Sequence, residues 1–288
     1  MKEPDNIVRA GEPSRTALKV AILRAAHQLL DDPIVLDDPV ALQILGSDAE
    51  AELRENPFQY NDPTSRGLRA ALVVRSRLAE DEVAQAVAAG VRQYVVLGAG
   101  LDTFAYRNPH AEEALRVFEV DHPATQQRKR QLLKEAGISL PADLIFAPLD
   151  FEHGTLAQGL ADTGFRTDLR ACFSWLGVTM YLKETAIMDL LSFVAAMPKG
   201  SSIIFDFRVS PSILNPIERA SYKVIEQRVA AIGEPWKSAF EPAALREQVL
   251  ALGFGEVETY EPDELNRRYL NRREDGLRTG GRLLCARV

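Results

Sequence analysis

From residue 92 onward, short apolar runs rich in β-branched residues alternate with segments that have helical spacing of apolar residues. Such an alternation predicts a mostly parallel sheet with helices on both of its faces, which is an α/β architecture. Later in the chain, a further helical segment precedes two more strand-like runs. The predicted strands are residues 94–98, 116–121, 143–151, 171–178, 201–207, 253–262 and 282–288, and the predicted helices between them are 123–137, 184–197 and 242–252.

Two parts of the chain lie outside this alternation. Residues 1–90 have mainly helical spacing, with one helix beginning near residue 14 and another predicted over 69–89, closed by Gly90. Residues 208–240 interrupt the alternation with three prolines around a helical stretch, which predicts a lid insertion; a packing excursion is the alternative. We therefore predict an N-terminal helical segment (1–90) beside a core of residues 91–288, together forming one compact domain.

Composition excludes several classes of protein. The net charge of −7 argues against a general nucleic-acid binder, whose affinity comes from neutralising phosphates. Two cysteines far apart and four scattered histidines predict neither a disulfide framework nor a metal site. The polar N-terminus and an apolar-rich stretch of only 12 residues (171–182) predict no leader and no membrane span, and hence a cytoplasmic protein.

A G-x-G sequence at the end of the first predicted strand is the main functional signal. Gly98 and Gly100 would let the backbone approach a ligand closely, and a helix after them would offer free N–H groups to an anion. Asp121 ends the second predicted strand, where an acid can bind ribose hydroxyls; the alternative is that it caps the next helix. Asp150 and Phe151 follow the third strand, where they could bind an adenine amine and cover its ring. Together these residues predict a nucleoside site.

Two cofactors suit such a site. A nicotinamide dinucleotide favours G-x-G-x-x-G, but Thr103 occupies the third glycine position. S-adenosylmethionine has no phosphate and needs only the ribose acid, the adenine pocket and room for its methionine, so the sequence favours it. An NAD(P)-dependent oxidoreductase and a non-catalytic nucleotide-binding protein remain alternatives. A hydrolase is not predicted, because the chain has no G-x-S-x-G motif.

Several motifs, taken in order, resemble one known family. They are PSRTALKVAILRAAHQLLDDP, VRSRLAEDEV, VVLGAGLDTFAYR, FEVDHPATQQRK, LDFEHG and FSWLGVTMYL. This set resembles bacterial S-adenosylmethionine-dependent methyltransferases of the leucine carboxyl methyltransferase family, clearly over about residues 13–207. The resemblance implies a class I methyltransferase fold, Rossmann-like, with seven strands of which the last is antiparallel.

The resemblance also implies roles for individual residues. Arg77 would bind the methionine carboxylate, and the other implied cofactor-binding residues are Gly98, Gly100, Asp121, Asp150 and Phe151. Leu176 stands where eukaryotic members of the family have a glutamate, which argues against carrying over their protein substrate.

Three residues are candidates for contact with the methyl acceptor. Tyr181 follows the fourth predicted strand, His27 lies in the first helix, and Arg208 follows the fifth strand; a purely structural role is the alternative for each. Methyl transfer mainly requires alignment of the two reactants. An ionised carboxylate needs no base, whereas a hydroxyl does. We predict O-methylation of a carboxylate or hydroxyl on a small molecule or peptide, with no nucleic-acid or membrane partner; the sequence carries no signal for an oligomeric state.

Overall fold

Seven strands form one mixed sheet in the computed structural model, which describes residues 15–151, 153–231 and 233–288. The spatial order is β3-β2-β1-β4-β5-β7-β6, with β1 to β5 parallel and β7 antiparallel to both β5 and β6. This is the predicted class I methyltransferase sheet. The strands are β1 Gln93–Leu97, β2 Arg116–Asp121, β3 Leu144–Pro148, β4 Cys172–Trp175, β5 Ser202–Asp206, β6 Glu256–Tyr260 and β7 Leu283–Arg287.

Helices cover both faces of the sheet and the edge where its parallel strands end. The helices are α1 Arg15–Leu30, α2 Ser47–Glu55, α3 Pro63–Ala88, α4 Pro123–Glu135, α5 Leu156–Leu160, α6 Glu184–Ala195, α7 Pro216–Ala231, α8 Pro242–Ala251 and α9 Pro262–Tyr269. Helix α3 begins six residues before its predicted start because the Asp62 carboxylate caps it, accepting bonds from the N–H groups of Thr64 and Ser65. No helix in the described residues is long and apolar enough to cross a bilayer.

The central strands are apolar on both faces, which explains their continuous hydrophobic runs. Along β1, Val95 and Leu97 join a cluster with α5, α6 and α8, whereas Tyr94 and Val96 pack against the end of α3. Strands β3 and β4 end three residues earlier than predicted. The remaining apolar residues of those runs lie in loops at the carboxyl edge of the sheet.

The segment 208–240, called the insertion below, leaves and rejoins the fold at one point. Val209 pairs with Phe240 as an isolated bridge, so the segment is closed at its base. Between these residues lies α7, much of which is exposed to solvent. The helical stretch predicted for this segment is therefore present.

A buried ionic cluster joins the N-terminal helices to the C-terminal part of the chain. Asp31, just after α1, accepts hydrogen bonds from Arg69 of α3 at 2.7 and 2.9 Å and from Arg273 at 3.5 Å. The His27 Nδ1 lies 2.7 Å from the same carboxylate, and its Nε2 accepts from the N–H of Val35. Burial alone would raise the pKa of Asp31, but the bonds from His27 and Arg69 outweigh it and lower the pKa to about 2.

We expect Asp31→Asn to lower the free energy of unfolding by about 3 kcal/mol at pH 7, because buried arginine charge then lacks its partner. The folded pKa lies below the unfolded value, so this stabilisation is present above about pH 4 and is lost as the pH falls towards 2. Urea unfolding at pH 7 and at acidic pH measures both effects. The exposed Asp37→Asn is the matched control; equal stability of the two variants would contradict the role of the cluster.

Candidate functional site

A pocket lies at the carboxyl edge of the sheet, where the loops after β1, β2, β3 and β4 converge. Helix α1 closes it on one side through Thr16 and Ala17, and Glu234 of the insertion reaches it from another. We call it the central pocket. The sequence-predicted residues among those that line it are Gly98, Gly100, Asp121, Asp150, Phe151 and Tyr181.

The glycine loop is shaped by close contacts within the chain itself. Gly98 has φ +67°, and a Cβ there would lie 2.3 Å from Cγ2 of Val178, in the loop after β4. Gly100 has φ +49°, and its Cβ would lie 3.2 Å from the Cβ of Ala17 in α1. Gly98 therefore requires a residue without a side chain, and at Gly100 the positive φ strains any other residue. The close neighbours of the loop are the segment after β4 and helix α1, and close approach to a ligand stays a prediction.

The expectation of an anion site at a helix following the glycines is wrong. Only a single 3₁₀ turn, Phe104–Arg107, follows the loop. The chain is held there by the Thr103 hydroxyl, which donates to Asp38 at 2.6 Å and accepts from Arg24 at 2.8 Å. These bonds tie the segment to α1.

The Asp121 carboxylate is fixed at the end of β2 by two backbone donors. Gly100 N–H donates to Oδ2 at 2.5 Å, and His122 N–H donates to Oδ1 at 2.6 Å. Burial raises the pKa of Asp121 above its ordinary value. The helix cap of α4 is His122, whose Nδ1 accepts from Ala124 N–H, so the alternative reading of Asp121 as the cap is wrong. The carboxylate instead faces the central pocket.

The acid and the aromatic residue after β3 border the same pocket. Asp150 Oδ2 lies 2.8 Å from Nδ1 of His153 and 4.0 Å from Nε2 of His122. Phe151 packs partly against the main core cluster and is one of the residues that line the pocket. The pocket thus has an acidic group at the ends of both β2 and β3.

Arg77 does not lie in the pocket, and Arg75 does. The Arg77 side chain is 48% exposed and bonds to Asp81 on its own helix at 2.9 Å. Arg75 is 13% exposed, lines the pocket and donates to Asp206 at the end of β5 at 2.6 Å. Residues two apart on a helix point in nearly opposite directions, so one turn of α3 can bring only one of them to the pocket. The placement implied for Arg77 is thereby corrected to Arg75.

Of the three acceptor-contact candidates, only Tyr181 lies in the pocket. Its side chain is buried, which raises the pKa of its phenol. His27 is fully buried in the Asp31 cluster and is not one of the pocket residues, so the prediction that it contacts the acceptor is wrong. Arg208 pairs with Glu226 of α7 at 2.9 Å and stacks over Trp236, also outside the pocket. His27 is held by partners within nine residues of it, Asp31, Val35 and Leu36, whereas the partners of Arg208 lie further along the chain.

Thr16 and Glu234 are among the pocket residues that were not predicted. Glu234 in the insertion is 4% exposed and accepts a hydrogen bond from the Thr16 hydroxyl. Thr16 lies in the first of the motifs that carry the family resemblance but has no implied role there, and Glu234 belongs to no motif. Only the folded chain brings α1 and the insertion together. Among the described residues, no group of three His, Cys, Asp or Glu side chains is placed to hold a metal ion.

We expect Gly98→Ala to destabilise the protein by about 3 kcal/mol, from a positive φ and the displacement of Val178. Gly137→Ala is the matched control, because Gly137 has φ +68° but nothing within 4 Å of a Cβ. We expect Gly137→Ala to lower the free energy of unfolding by only about 1 kcal/mol. Thermal or urea unfolding measures the stability of both variants. Equal losses of stability would show that the contact with Val178 is unimportant.

Comparison with known proteins gives a family for this site. The sequence profile of leucine carboxyl methyltransferases matches residues 17–195. A proposed S-adenosyl-L-methionine-dependent methyltransferase of Bacillus subtilis, YktD, is 33% identical over 293 residues, covering 94% of this chain and 95% of its own. A proposed methyltransferase of the same kind from Mycobacterium tuberculosis is 32% identical over 221 residues, covering 74% of this chain and 68% of its own.

Solved structures show the same fold. A proposed methyltransferase of Thermobifida fusca superposes with a TM-score of 0.55 at 19% identity, covering 93% of both chains. A DUF574 family protein of Streptomyces avermitilis superposes with a TM-score of 0.52 at 17% identity, covering 93% of this chain and 96% of its own. With the family profile spanning β1 to α6, the glycine loop and the residues after β2, β3 and β4 all fall within the matched region. The chain belongs to the leucine carboxyl methyltransferase family of S-adenosylmethionine-dependent methyltransferases.

Proposed function

We propose that this protein binds S-adenosylmethionine in the central pocket and transfers its methyl group to an oxygen atom of a small-molecule or peptide acceptor. The observation that carries the proposal is the convergence of the glycine loop, Asp121 and the Asp150–Phe151 pair on one pocket. These groups have the chemistry that a nucleoside with an amino-acid tail requires. Family membership favours this ligand over a nicotinamide dinucleotide.

The residues present fit the nucleoside part of the cofactor. The Asp121 carboxylate is held by two N–H donors, yet each of its oxygens can accept a further bond, as ribose hydroxyls require. Asp150 can accept from an adenine amine, and the Phe151 ring can cover the base.

Arg75 is the residue we assign to the methionine carboxylate. Its bond to Asp206 uses one terminal nitrogen, and a guanidinium carries five N–H donors, so it can also hold a second carboxylate. Asp206 in turn accepts from Gly177 N–H at 2.6 Å, which fixes the pair against the loop after β4. The arginine is therefore already oriented in the protein.

The chemical role of the pocket is to align the reactants. The cofactor supplies a methyl group bonded to a positively charged sulfonium sulfur. The sulfur leaves as a neutral thioether, so the leaving group needs no acid. The chain's own residues hold the acceptor oxygen in line with that methyl group and exclude water, which is mainly a task of orientation. Leu176 and Val178 supply apolar walls, and Tyr181 offers a hydroxyl that stays protonated at neutral pH and can hydrogen-bond the acceptor.

Parallel calorimetric titrations with S-adenosylmethionine, S-adenosylhomocysteine and NAD(H) test the cofactor. We expect saturable binding of the first two and none of the third. Binding of NAD(H) alone would contradict the proposal. Release of S-adenosylhomocysteine in the presence of an acceptor then separates an enzyme from a protein that only binds the cofactor.

We expect Asp121→Ala to weaken S-adenosylhomocysteine binding at least about tenfold, because hydrogen bonds to a charged group contribute about 1.5–3 kcal/mol. Calorimetry on the folded variant measures the change. The exposed Asp162→Ala, which removes a carboxylate outside the pocket, should bind like the wild type. Unchanged affinity in a folded Asp121 variant would refute the ribose assignment.

The two arginines of α3 give a matched pair. Arg75→Ala should weaken S-adenosylhomocysteine binding at least about tenfold, because a charge-assisted bond to the methionine carboxylate is lost. Arg77→Ala should leave the affinity unchanged, since its side chain points to solvent. A larger loss in the Arg77 variant would restore the assignment implied by sequence resemblance.

A further inference from the structure

Gly177 follows β4 and lies against the side chain of Arg75, the residue assigned to the methionine carboxylate. It belongs to the motif FSWLGVTMYL, in which the sequence gave it no role, and it lines the central pocket together with Arg75. A Cβ on Gly177 would lie 2.7 Å from Nη2 of Arg75, 3.1 Å from Nη1 and 3.2 Å from Cζ. The guanidinium therefore occupies the space that a side chain at this position would need.

The Arg75 side chain is held in this position from a second direction. Its Nη1 donates to Asp206 Oδ2 at 2.6 Å, while the N–H of Gly177 donates to the other oxygen, Oδ1, also at 2.6 Å. The Asp206 carbonyl accepts from the hydroxyl of Thr179, a buried residue, at 2.7 Å. The ends of β4 and β5 are thus bonded to each other beside the guanidinium, which fixes the backbone of Gly177 relative to Asp206.

An alanine in place of Gly177 would move the arginine and leave the backbone where it is. The atoms that its Cβ would meet belong to the end of a long flexible side chain, which can turn away at little cost. Gly177 also has φ +75°, a conformation that strains any other residue, but this strain lowers stability and does not itself redirect a neighbouring side chain. The effect of the substitution on Arg75 can therefore be separated from its effect on the fold.

Holding the arginine before the ligand arrives favours binding of an anionic group. A free arginine side chain has many rotamers, and the loss of this freedom on binding a carboxylate weakens the complex. We infer that Gly177 is a positioning residue for the methionine carboxylate: through Arg75, it lets the pocket select a cofactor with that carboxylate over the same nucleoside without it. The inference rests on the proposed function, because the carboxylate belongs to S-adenosylmethionine.

Two ligands that differ in this one group test the inference. S-adenosylhomocysteine has the carboxylate, whereas its decarboxylated analogue keeps the nucleoside, the thioether and the amine. We expect calorimetry to show that wild-type protein binds S-adenosylhomocysteine at least about tenfold more tightly than the analogue, because of the charge-assisted bond. Gly177→Ala should lose at least about fivefold in affinity for S-adenosylhomocysteine and stay within about twofold of wild type for the analogue.

Two further variants separate the arginine from the backbone. Gly137→Ala is the matched control, because Gly137 has φ +68° but no atom within 4 Å of a Cβ, and it should bind both ligands like wild type. The double variant Arg75→Ala/Gly177→Ala should bind S-adenosylhomocysteine within about twofold of Arg75→Ala, because Gly177 acts only through that side chain. Additive losses of affinity in the double variant would overturn the inference.

A Gly177→Ala variant that loses affinity for both ligands equally, or that fails to fold, also overturns the inference, because the glycine would then serve the fold rather than the arginine. The titrations separate the levels of the proposal. If wild-type protein binds no S-adenosylhomocysteine, the proposed function fails. If it binds both ligands equally, the assignment of Arg75 fails together with this inference. If wild-type protein prefers the carboxylate and Gly177→Ala keeps that preference, only the role of Gly177 fails.

Discussion

The close passage of the glycine loop beneath the loop after β4 is the constraint on which the site depends. Gly98 N–H donates to the Val120 carbonyl at 2.8 Å, which extends the β1–β2 pairing by one residue. Its positive φ then turns the chain under Val178, and Gly100 N–H reaches Asp121. One turn therefore joins three neighbouring strands at their carboxyl ends. A side chain at Gly98 would separate them and open the floor of the pocket.

The floor and the cover of the pocket are formed by different parts of the chain. The floor is made by loops that follow consecutive parallel strands, and such loops meet wherever the strands pair. The cover is made by α1 and the insertion, whose residues Thr16 and Glu234 meet across more than two hundred positions of sequence. A fold of this type fixes where a cofactor can bind, whereas the cover decides which acceptor can enter. That division is why family membership leaves the acceptor open.

The sequence-based predictions brought together residues that follow the ends of strands, although their roles in binding stay predictions. Gly98, Gly100, Asp121, Asp150 and Phe151 all follow recognisable strands, and all line the pocket. The sequence-based predictions were wrong for residues on helices and in connecting segments. The choice between Arg75 and Arg77 depends on which side of α3 faces the sheet, and His27 lies on the face of α1 that meets Asp31 and Arg69. The direction of a helical side chain follows from packing, which spacing alone does not specify when several faces are apolar.

The sequence by itself determined the α/β class, the order of the strands along the chain, the cofactor type and the residues at the strand ends. These properties are local: a buried strand has a continuous apolar run, and the residue after it has one position at the edge of the sheet. Only the tertiary structure decided that Arg75 faces the pocket, that a 3₁₀ turn follows the glycines, and that Glu234 meets Thr16. Each of these depends on contacts between segments distant in sequence, because packing across the sheet selects which face of a helix or insertion is buried.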